Sequence, residues 1–460
     1  MADDGLQASI DKMRGDGVAE VAIATFADLY RRLVEGDRGL IGEDAIEPVV
    51  ELPDADALDA VPPTSAEVLD QAVVIRLNGG LGTSMGLDAP KSLLEVRDGL
   101  TFLDVVARQV LALRARSGAR VPLVLMNSFA TRGPSLRRLE RYPDLPVDVP
   151  LDFVQNKEPK LVEETLAPVS WPADPALEWA PPGHGDLYPA LVSSGLLEAL
   201  LEHGYRYAFV ANVDNLGATL DPRILGWMAR ERIPFLMEVA DRTRADRKGG
   251  HLARRRSDGA LVLREIAQTP TDDVGAFQDV GRHRYFNTNN LWVDLQALDG
   301  LLRSSGGVLS LPMIVNRKTV DPRDPGSTPV IQLETAMGAA IGVFDGARAL
   351  RVPRSRFAPV KTTNDLLALR SDAYVVTEAS QVTLAPVRSV PPVIDLDDRF
   401  YRRVGDFEER FANGAPSLVE CRSLTVVGDV AFGADVVVRG DVRVEADGRR
   451  RIEPGTVLEG

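Results

Sequence analysis

Two lysines and one aspartate stand where the chain could gather phosphate. After the apolar run Val73-Val74-Ile75-Arg76-Leu77 comes Asn78, then the turn Gly79-Gly80-Leu81-Gly82, and shortly afterwards Ala89-Pro90-Lys91-Ser92. Glycines let successive backbone N–H groups approach a phosphate chain closely, and Lys91 adds a mobile cation beside them. The spacing is not that of a Walker A loop, which needs Gly-Lys-Ser/Thr in succession. Nor is it a dinucleotide fingerprint, since Gly80, Gly82 and Gly86 are one residue out of register. Asp214 follows the apolar run Ala208-Phe209-Val210-Ala211-Asn212, which puts a carboxylate at the end of a strand, where it could hold Mg²⁺ against triphosphate oxygens. Lys361, in Pro-Val-Lys-Thr-Thr, is a second candidate cation, with Arg354 and Arg356 close in sequence.

Other polar residues suit the neutral parts of a ligand. His184 lies between glycines in Pro-Pro-Gly-His-Gly-Asp, a rigid turn that can come near a bound molecule. Gln155, after Leu-Asp-Phe-Val, offers a donor and an acceptor of the kind that reads the edge of a uracil ring. Asn287, Asn289 and Asn290 supply amides for sugar hydroxyls or for the local backbone. Glu334 opens a largely apolar stretch that reads as a helix, and serves there either as a core ion-pair member or as a sugar contact.

Elements must hold these residues together. From 71 to about 380, short apolar runs alternate with longer amphipathic stretches: QAVVIRL, TFLDVVARQVLALRA, VPLVLMNS, then YRYAFVANV and a helix-like segment from near Pro222. That alternation predicts strand–helix crossovers and an α/β domain with a mostly parallel sheet. Ligands in such sheets sit beyond the carboxyl ends of the strands, where these motifs fall. Residues 6 to 36 read as a helical arm, and ELPDADALDAVPPTS as an irregular connection into the first strand. Over the last forty residues, Leu418, Leu424, Val430, Val436 and Val442 lie six apart, as do Val426, Phe432, Val438 and Val444. Gly428, Ala434, Gly440 and Ala446 keep the same period, which predicts a small parallel β-helix in place of an antiparallel hairpin pair. The expected domains are thus 1–70, 71–380 and 381–460.

Composition limits the function. A formal net charge of -14 over 460 residues argues against nucleic acid as a partner, because such binding needs clustered Lys and Arg. No apolar run reaches the ~20 residues that span a bilayer, and MADDGLQAS is acidic where a secretory leader would be basic, so a soluble, cytoplasmic protein is expected. One cysteine, Cys421, and four scattered histidines offer neither an internal disulfide nor zinc spacing.

The stretch RLNGGLGTSMGLDAPKSLLEV resembles the nucleotide-binding signature of eukaryotic-type UTP–glucose-1-phosphate uridylyltransferases. PLVLMNSF, PPGHGDLY, ANVDNLGATLD, MEVADRTRADRKGG, YFNTNNLW, VIQLETAMGAAI and VPRSRFAPVKTTNDL resemble further family segments in the family's order, over about 71 to 370. The terminal hexads are similar to that family's small β-helix domain. The resemblance implies a Rossmann-like nucleotide-diphospho-sugar transferase fold with a mixed, mostly parallel sheet and a small left-handed parallel β-helix at the C-terminus. It implies UTP and glucose 1-phosphate as substrates and Mg²⁺ as cofactor, held by Asp214. Leu77, Asn78, Gly79, Gly80 and Lys91 would line the nucleotide, the Gly183 backbone the uracil, and Lys361 the α-phosphate. Asn212, Val213, Asp214, Gly79, Gly80 and His184 would lie along the sugar phosphate, and Asn289 at the hexose. A relative acting on another sugar 1-phosphate or on several, and a catalytically silent nucleotide-sugar sensor, are the alternatives; misregistered glycines disfavour a nicotinamide dehydrogenase. The chain ends soon after the final hexads, at Thr456-Val-Leu-Glu-Gly, which leads to the expectation of a monomer or small homo-oligomer.

Overall fold

The computed structural model describes residues 2–60, 66–243 and 246–460. Residues 61–65 of the connection before the first buried strand, Arg244 and Ala245 of the MEVADRTRADRKGG stretch, and Met1 lie outside the described residues.

Ten strands form the central sheet: β1 (Ile46–Pro48), β2 (Ala72–Asn78), β3 (Leu123–Asn127), β4 (Asp152–Val154), β5 (Tyr207–Asn212), β6 (Phe235–Asp241), β7 (His251–Arg255), β8 (Leu261–Arg264), β9 (Tyr285–Asp294) and β10 (Arg348–Arg351). Their main order is β1-β7-β9-β5-β2-β3-β4, with β6 on β9, β10 on β6 and β8 on β7. Val73, Val74 and Ile75 of β2 and Phe209 and Val210 of β5 are buried on both faces, which is why these strands read as unbroken apolar runs. The sheet is mixed, as expected, but parallel pairing does not predominate in it. Parallel pairing joins β5 to β2, β2 to β3, β3 to β4 and β6 to β10. β9 runs antiparallel to both β5 and β6, and β1, β7 and β8 pair antiparallel. One of the antiparallel pairs, β7 with β8, is a hairpin around the turn at Asp258-Gly259, a connection that reverses direction without a crossover helix.

The helix Phe102–Ser117 between β2 and β3 begins with a capping box, Thr101 and Asp104, and ends at Gly118 in the left-handed conformation. At the N-terminus, α1 (Ala2–Gly15) and α2 (Glu20–Val34) bury Met13, Ile23, Phe26, Leu29, Tyr30 and Leu33 against Leu161, Met313, Ile331 and Leu333. β1, which sequence reading did not anticipate, adds an edge strand from the same N-terminal region.

Glu334 requires a second correction. It lies in the strand Pro329–Thr335, antiparallel to Met313–Thr319, and only a 3₁₀ segment (Met337–Gly342) follows. Val330, Ile331, Gln332 and Leu333 are buried in succession, as in a strand covered on both faces, with no helical stripe.

Beyond residue 390, β11 (Val393–Leu396), β12 (Cys421–Val427), β14 (Val437–Glu445) and β16 (Val457–Glu459) stack in parallel, and β13 (Val430–Phe432) pairs in parallel with β15 (Arg450–Ile452). Leu424 faces Val442 and Val426 faces Val444, eighteen residues apart, so three hexads make one rise of the stack. Leu418, Leu424, Val430, Val436, Phe432 and Val438 are all inside it. Its apolar core is continuous with that under β2 and the helix Phe102–Ser117.

Candidate active site

β2 and β5 lie side by side and in parallel, with Leu77 opposite Asn212, so their carboxyl ends open on one edge of the sheet. The Val213 N–H donates to the Leu77 carbonyl at 3.1 Å, tying the turn after β5 to the end of β2. The glycine turn then folds back, the Lys91 N–H donating to the Gly80 carbonyl at 3.1 Å. The Lys91 Nζ reaches Asp214 Oδ2 at 2.5 Å, and both side chains remain partly open to solvent.

The loop that carries Lys361 is fastened to the same turn. Asn215 Nδ2 donates to the Arg356 carbonyl (3.2 Å) and to Asn290 Oδ1 (3.1 Å), and its Oδ1 accepts from the Ala358 N–H (2.9 Å). The Val360 N–H lies 3.4 Å from the Asp214 carbonyl. Lys361 is exposed, its ammonium 5.7 Å from the centre of the Phe357 ring. The backbone just before Lys361 is therefore tied to the turn that carries Asp214, while the Lys361 side chain lines a hollow with Phe357, Thr362 and Pro391.

Below this loop sits a platform that sequence reasoning missed. Glu238 is fully buried and accepts from Arg356 Nε (2.8 Å) and Nη2 (2.6 Å), Trp292 Nε1 (2.9 Å) and Asn290 Nδ2 (3.0 Å). Arg356 is thus an internal member of an ion pair and not a cation facing ligand. Asn290 is a structural amide, while Asn287 and Asn289 clasp each other: Asn289 N–H to Asn287 Oδ1 at 2.9 Å, and Asn287 Nδ2 to Asn289 Oδ1 at 2.7 Å. Asn289 has φ +58°, a conformation that Asn tolerates better than most residues. Arg76, also fully buried nearby, has its guanidinium pushed down to about 9, by burial first and then by the neighbouring Arg356.

At the other end of the cleft, Gly183 has φ +80°, and a Cβ there would sit 2.6 Å from the Thr335 carbonyl, so the turn can follow this path only with glycine. His184 Nδ1 accepts from the Met337 N–H at 3.0 Å, which leaves its proton on Nε2; burial holds the imidazole neutral down to about pH 4. Asp186 accepts from the Asn156 N–H and Nδ2, yet burial outweighs these donors and pushes its carboxyl up to about 7. Gln155, beside Asn156, reaches over the glycine turn: a Cβ on Gly79 would meet its Oε1 at 2.9 Å. The Asn78 side chain is buried and points inward, donating to Asn127 Oδ1 and Ser135 Oγ. Val213 is buried and Asn212 partly so. Glu334 lies 3.6 Å from Lys318 Nζ, on the surface side of its strand.

Glu265 was also missed. It packs against Gly250, where a Cβ would meet its carboxylate oxygens at 2.4 and 2.5 Å; burial raises its carboxyl while the charge of Lys361 opposes that rise. The signal available was its position just after β8, at the end of an apolar run.

No group of three or more His, Cys, Asp or Glu placed to hold a metal occurs among the described residues, and no described helix is long and apolar enough to cross a membrane.

A glycine turn, a lysine and a carboxylate meeting at the ends of two parallel strands belong to an α/β enzyme built to handle phosphates of the nucleotidyltransferase kind. The family model for UTP–glucose-1-phosphate uridylyltransferase matches residues 23–439, and the chain belongs to that family. It is 42% identical to the UTP–glucose-1-phosphate uridylyltransferase of Solanum tuberosum over 95% of this chain and 91% of the relative. It is 40% identical to a probable enzyme of the same name from Schizosaccharomyces pombe, over 94% and 86%. Among solved structures it resembles a UDP-glucose phosphorylase from Trypanosoma brucei (48% identity, TM-score 0.91, 99% and 98% of the two chains). It also resembles a variant UDP-glucose pyrophosphorylase from Leishmania major in complex with UDP-glucose (47%, TM-score 0.93, 99% and 98%).

Proposed function

We propose that the chain joins UTP and glucose 1-phosphate into UDP-glucose, releasing pyrophosphate. Family membership supports the substrates, and the meeting of Lys91, Asp214 and the Lys361 loop at one strand edge supports the chemistry. A phosphate oxygen of glucose 1-phosphate attacks the α-phosphorus of UTP, the new P–O bond forms, and the bond to pyrophosphate breaks in line. The nucleophile is ionised at neutral pH, so no general base is needed. His184, neutral and with its proton on Nε2, can donate a hydrogen bond to the sugar phosphate but is no proton store at pH 7. Catalysis rests on alignment and on counter-charge. Two unit charges ~4 Å apart repel by about 4 kcal/mol at an effective dielectric near 20. Lys91, Lys361 and the N–H groups of Gly79 to Gly82 offset that cost. Gln155 and the Gly183 backbone would bracket uracil, with Leu77, Asn78 and Gly80 along the nucleotide. Asn212 and Val213 would follow the sugar phosphate and Asn289 the hexose.

Asp214 fits Mg²⁺. One carboxylate is what an ion that keeps waters and phosphate oxygens in its shell requires of the protein, and no fuller acidic cage competes among the described residues. Bound there, the ion would neutralise charge on the α-phosphate. Lys91 must then give up its hold on Asp214 and turn to phosphate.

The eighteen-residue rise in the C-terminal stack supports a left-handed parallel β-helix within residues 381–460, after a catalytic unit of 71–380 and an N-terminal arm of 1–70. A cytoplasmic monomer or small homo-oligomer is part of the same reading. The test is pyrophosphate release from UTP with a panel of sugar 1-phosphates. Turnover with glucose 1-phosphate at least tenfold above the others is expected; no UTP-dependent release with any of them would refute the proposal.

A further inference from the structure

The helix Thr363–Arg370 begins two residues after Lys361 and is gripped from both sides. Asp365 caps it, its Oδ2 accepting from the N–H groups of Lys361 and Thr362, both at 2.8 Å, so the Lys361 backbone moves with the helix. On one side, the helix holds the segment that follows Lys91. Arg370 donates to the Glu95 carbonyl (2.7 and 3.2 Å), and Arg97 Nη1 donates to the carbonyls of Ser371 (3.2 Å) and Tyr374 (2.5 Å).

On the other side the grip comes from the C-terminal stack. The Leu396 N–H of β11 donates to Asn364 Oδ1 at 3.1 Å, and Arg370 Nη2 lies 3.2 Å from Glu408. At the far end Asp372 accepts three hydrogen bonds from a single turn: Ser417 Oγ (2.6 Å), Leu418 N–H (2.7 Å) and Val419 N–H (3.0 Å). That turn leads into the stack, Ser417 bridging Val437. A carboxylate that accepts three donors from one turn fixes position and orientation together, because each bond constrains a different direction. Nothing in the proposed chemistry uses Asp372, and it is only half-buried, so the core does not require a carboxylate there.

We propose that Asp372 is a positioning residue: it locks the helix Thr363–Arg370 to the C-terminal stack and thereby sets where Lys361, at the other end of that helix, meets the α-phosphate. The inference rests on Lys361 being the α-phosphate cation. It makes the stack a part of the catalytic apparatus, since any change in the turn at 417–419 reaches Lys361 through one rigid element.

The test is a double-mutant cycle in the full chain, with single-turnover and steady-state rates for Asp372→Ala, Lys361→Ala and the pair. Asp372→Ala is expected to lower kcat about tenfold and leave the KM for UTP within about threefold. In the Lys361→Ala background the same substitution is expected to cost less than twofold, because the group it positions is gone. Hydrogen exchange should rise in 359–370 while the strands of the stack stay protected. A tenfold loss that persists undiminished in the Lys361→Ala background, or a folded Asp372→Ala with parental kcat, overturns the inference. Should Asp372→Ala fail to fold, Asn364→Ala severs the other grip and is held to the same criteria. Parental turnover in Lys361→Ala itself would instead remove Lys361 from the site, a different failure and visible as such.

Discussion

Replacing Glu238 by Gln tests whether the cleft stands on a buried ion pair. Glu238 is the sole carboxylate bonded to Arg356 among the described contacts, and its other bonds come from Trp292 and Asn290. Gln keeps one oxygen but replaces the second with an amide that must face donors already aimed at it. Removing one partner of a buried pair costs ~3–5 kcal/mol, mostly the penalty of leaving the other charge unpaired. Here the residual charge is worse than usual, because Arg76 is buried beside Arg356 and already has its guanidinium depressed to about 9. With an unfolding entropy of ~2.1 cal/mol/K per residue, 460 residues give about 1 kcal/mol/K, so Tm should fall by roughly 3–5 °C. The Arg356 carbonyl also receives Asn215 and Asn290, so loosening it shifts the Lys361 loop and the Asn287–Asn290 segment together. A misplacement near 1 Å can cost ~100-fold in rate, and a fall in kcat of tenfold or more is expected. Thermal unfolding and steady-state kinetics on purified Glu238→Gln supply both readings. A Tm within about 1 °C of the parent together with kcat within twofold would refute the platform. Exchanging both partners, Glu238→Met with Arg356→Met, should cost less stability than either single change, since two apolar side chains leave no orphan charge.

Four further outcomes follow from the same geometry. Lys361→Ala should lower kcat by two or more orders of magnitude while UTP binding, read by calorimetry, weakens but stays measurable, because the charge matters most as the α-phosphorus gains negative charge. Asp214→Asn should remove activity and with it the magnesium dependence; rates near the parent at low magnesium would defeat the ligand assignment. Gly183→Ala must place a Cβ 2.6 Å from a backbone carbonyl at φ +80°, so a loss of UTP affinity of at least tenfold is expected in equilibrium binding. His184 is neutral in the fold down to about pH 4 but takes a proton near 6.5 when unfolded, so its contribution to stability is complete above pH 6.5 and is lost as pH falls towards 4. The gap corresponds to at most ~3 kcal/mol for this partly open ring. Replacing it by Asn keeps an acceptor for Met337 and should flatten the fall of Tm between pH 6.5 and 4.5; a parallel curve for parent and variant would count against it.

Residues proposed to touch ligand are easier to pick out in the sequence than residues that hold them. Lys91 and Asp214 announce themselves because each ends an apolar run or a glycine turn, and such local patterns fix a position relative to a strand. Lys361 has no pattern of that kind, and only its family resemblance marked it out. Glu238 and Glu265 lie inside or just after apolar strands, where an isolated carboxylate looks the same whether it pairs with a distant arginine or faces a cleft. Arg356 sits 118 residues from Glu238, and nothing local encodes that meeting. Glu334 misled for a related reason: Val330, Ile331 and Leu333 fit either period, and the partner strand at 313–319 that decides the matter is remote in sequence. The hexads behaved differently because a repeat states its own contacts: both apolar registers from Leu418 to Val444 are buried throughout, while Ala434 and Gly440 of the corner register are half-buried.

The Lys91–Asp214 contact bears on how the proposed metal site would be filled. A carboxylate bonded to an ammonium at 2.5 Å has much of its charge satisfied, so a free divalent ion gains little by displacing it. Were Asp214 to hold a divalent ion, Lys91 would have to leave it, and the phosphates of a bound nucleotide would offer the ammonium a new partner. As the chain stands, Lys91 keeps Asp214 from being an unpaired anion beside the glycine turn, and if that turn takes the phosphates as proposed, the same lysine is placed to meet them.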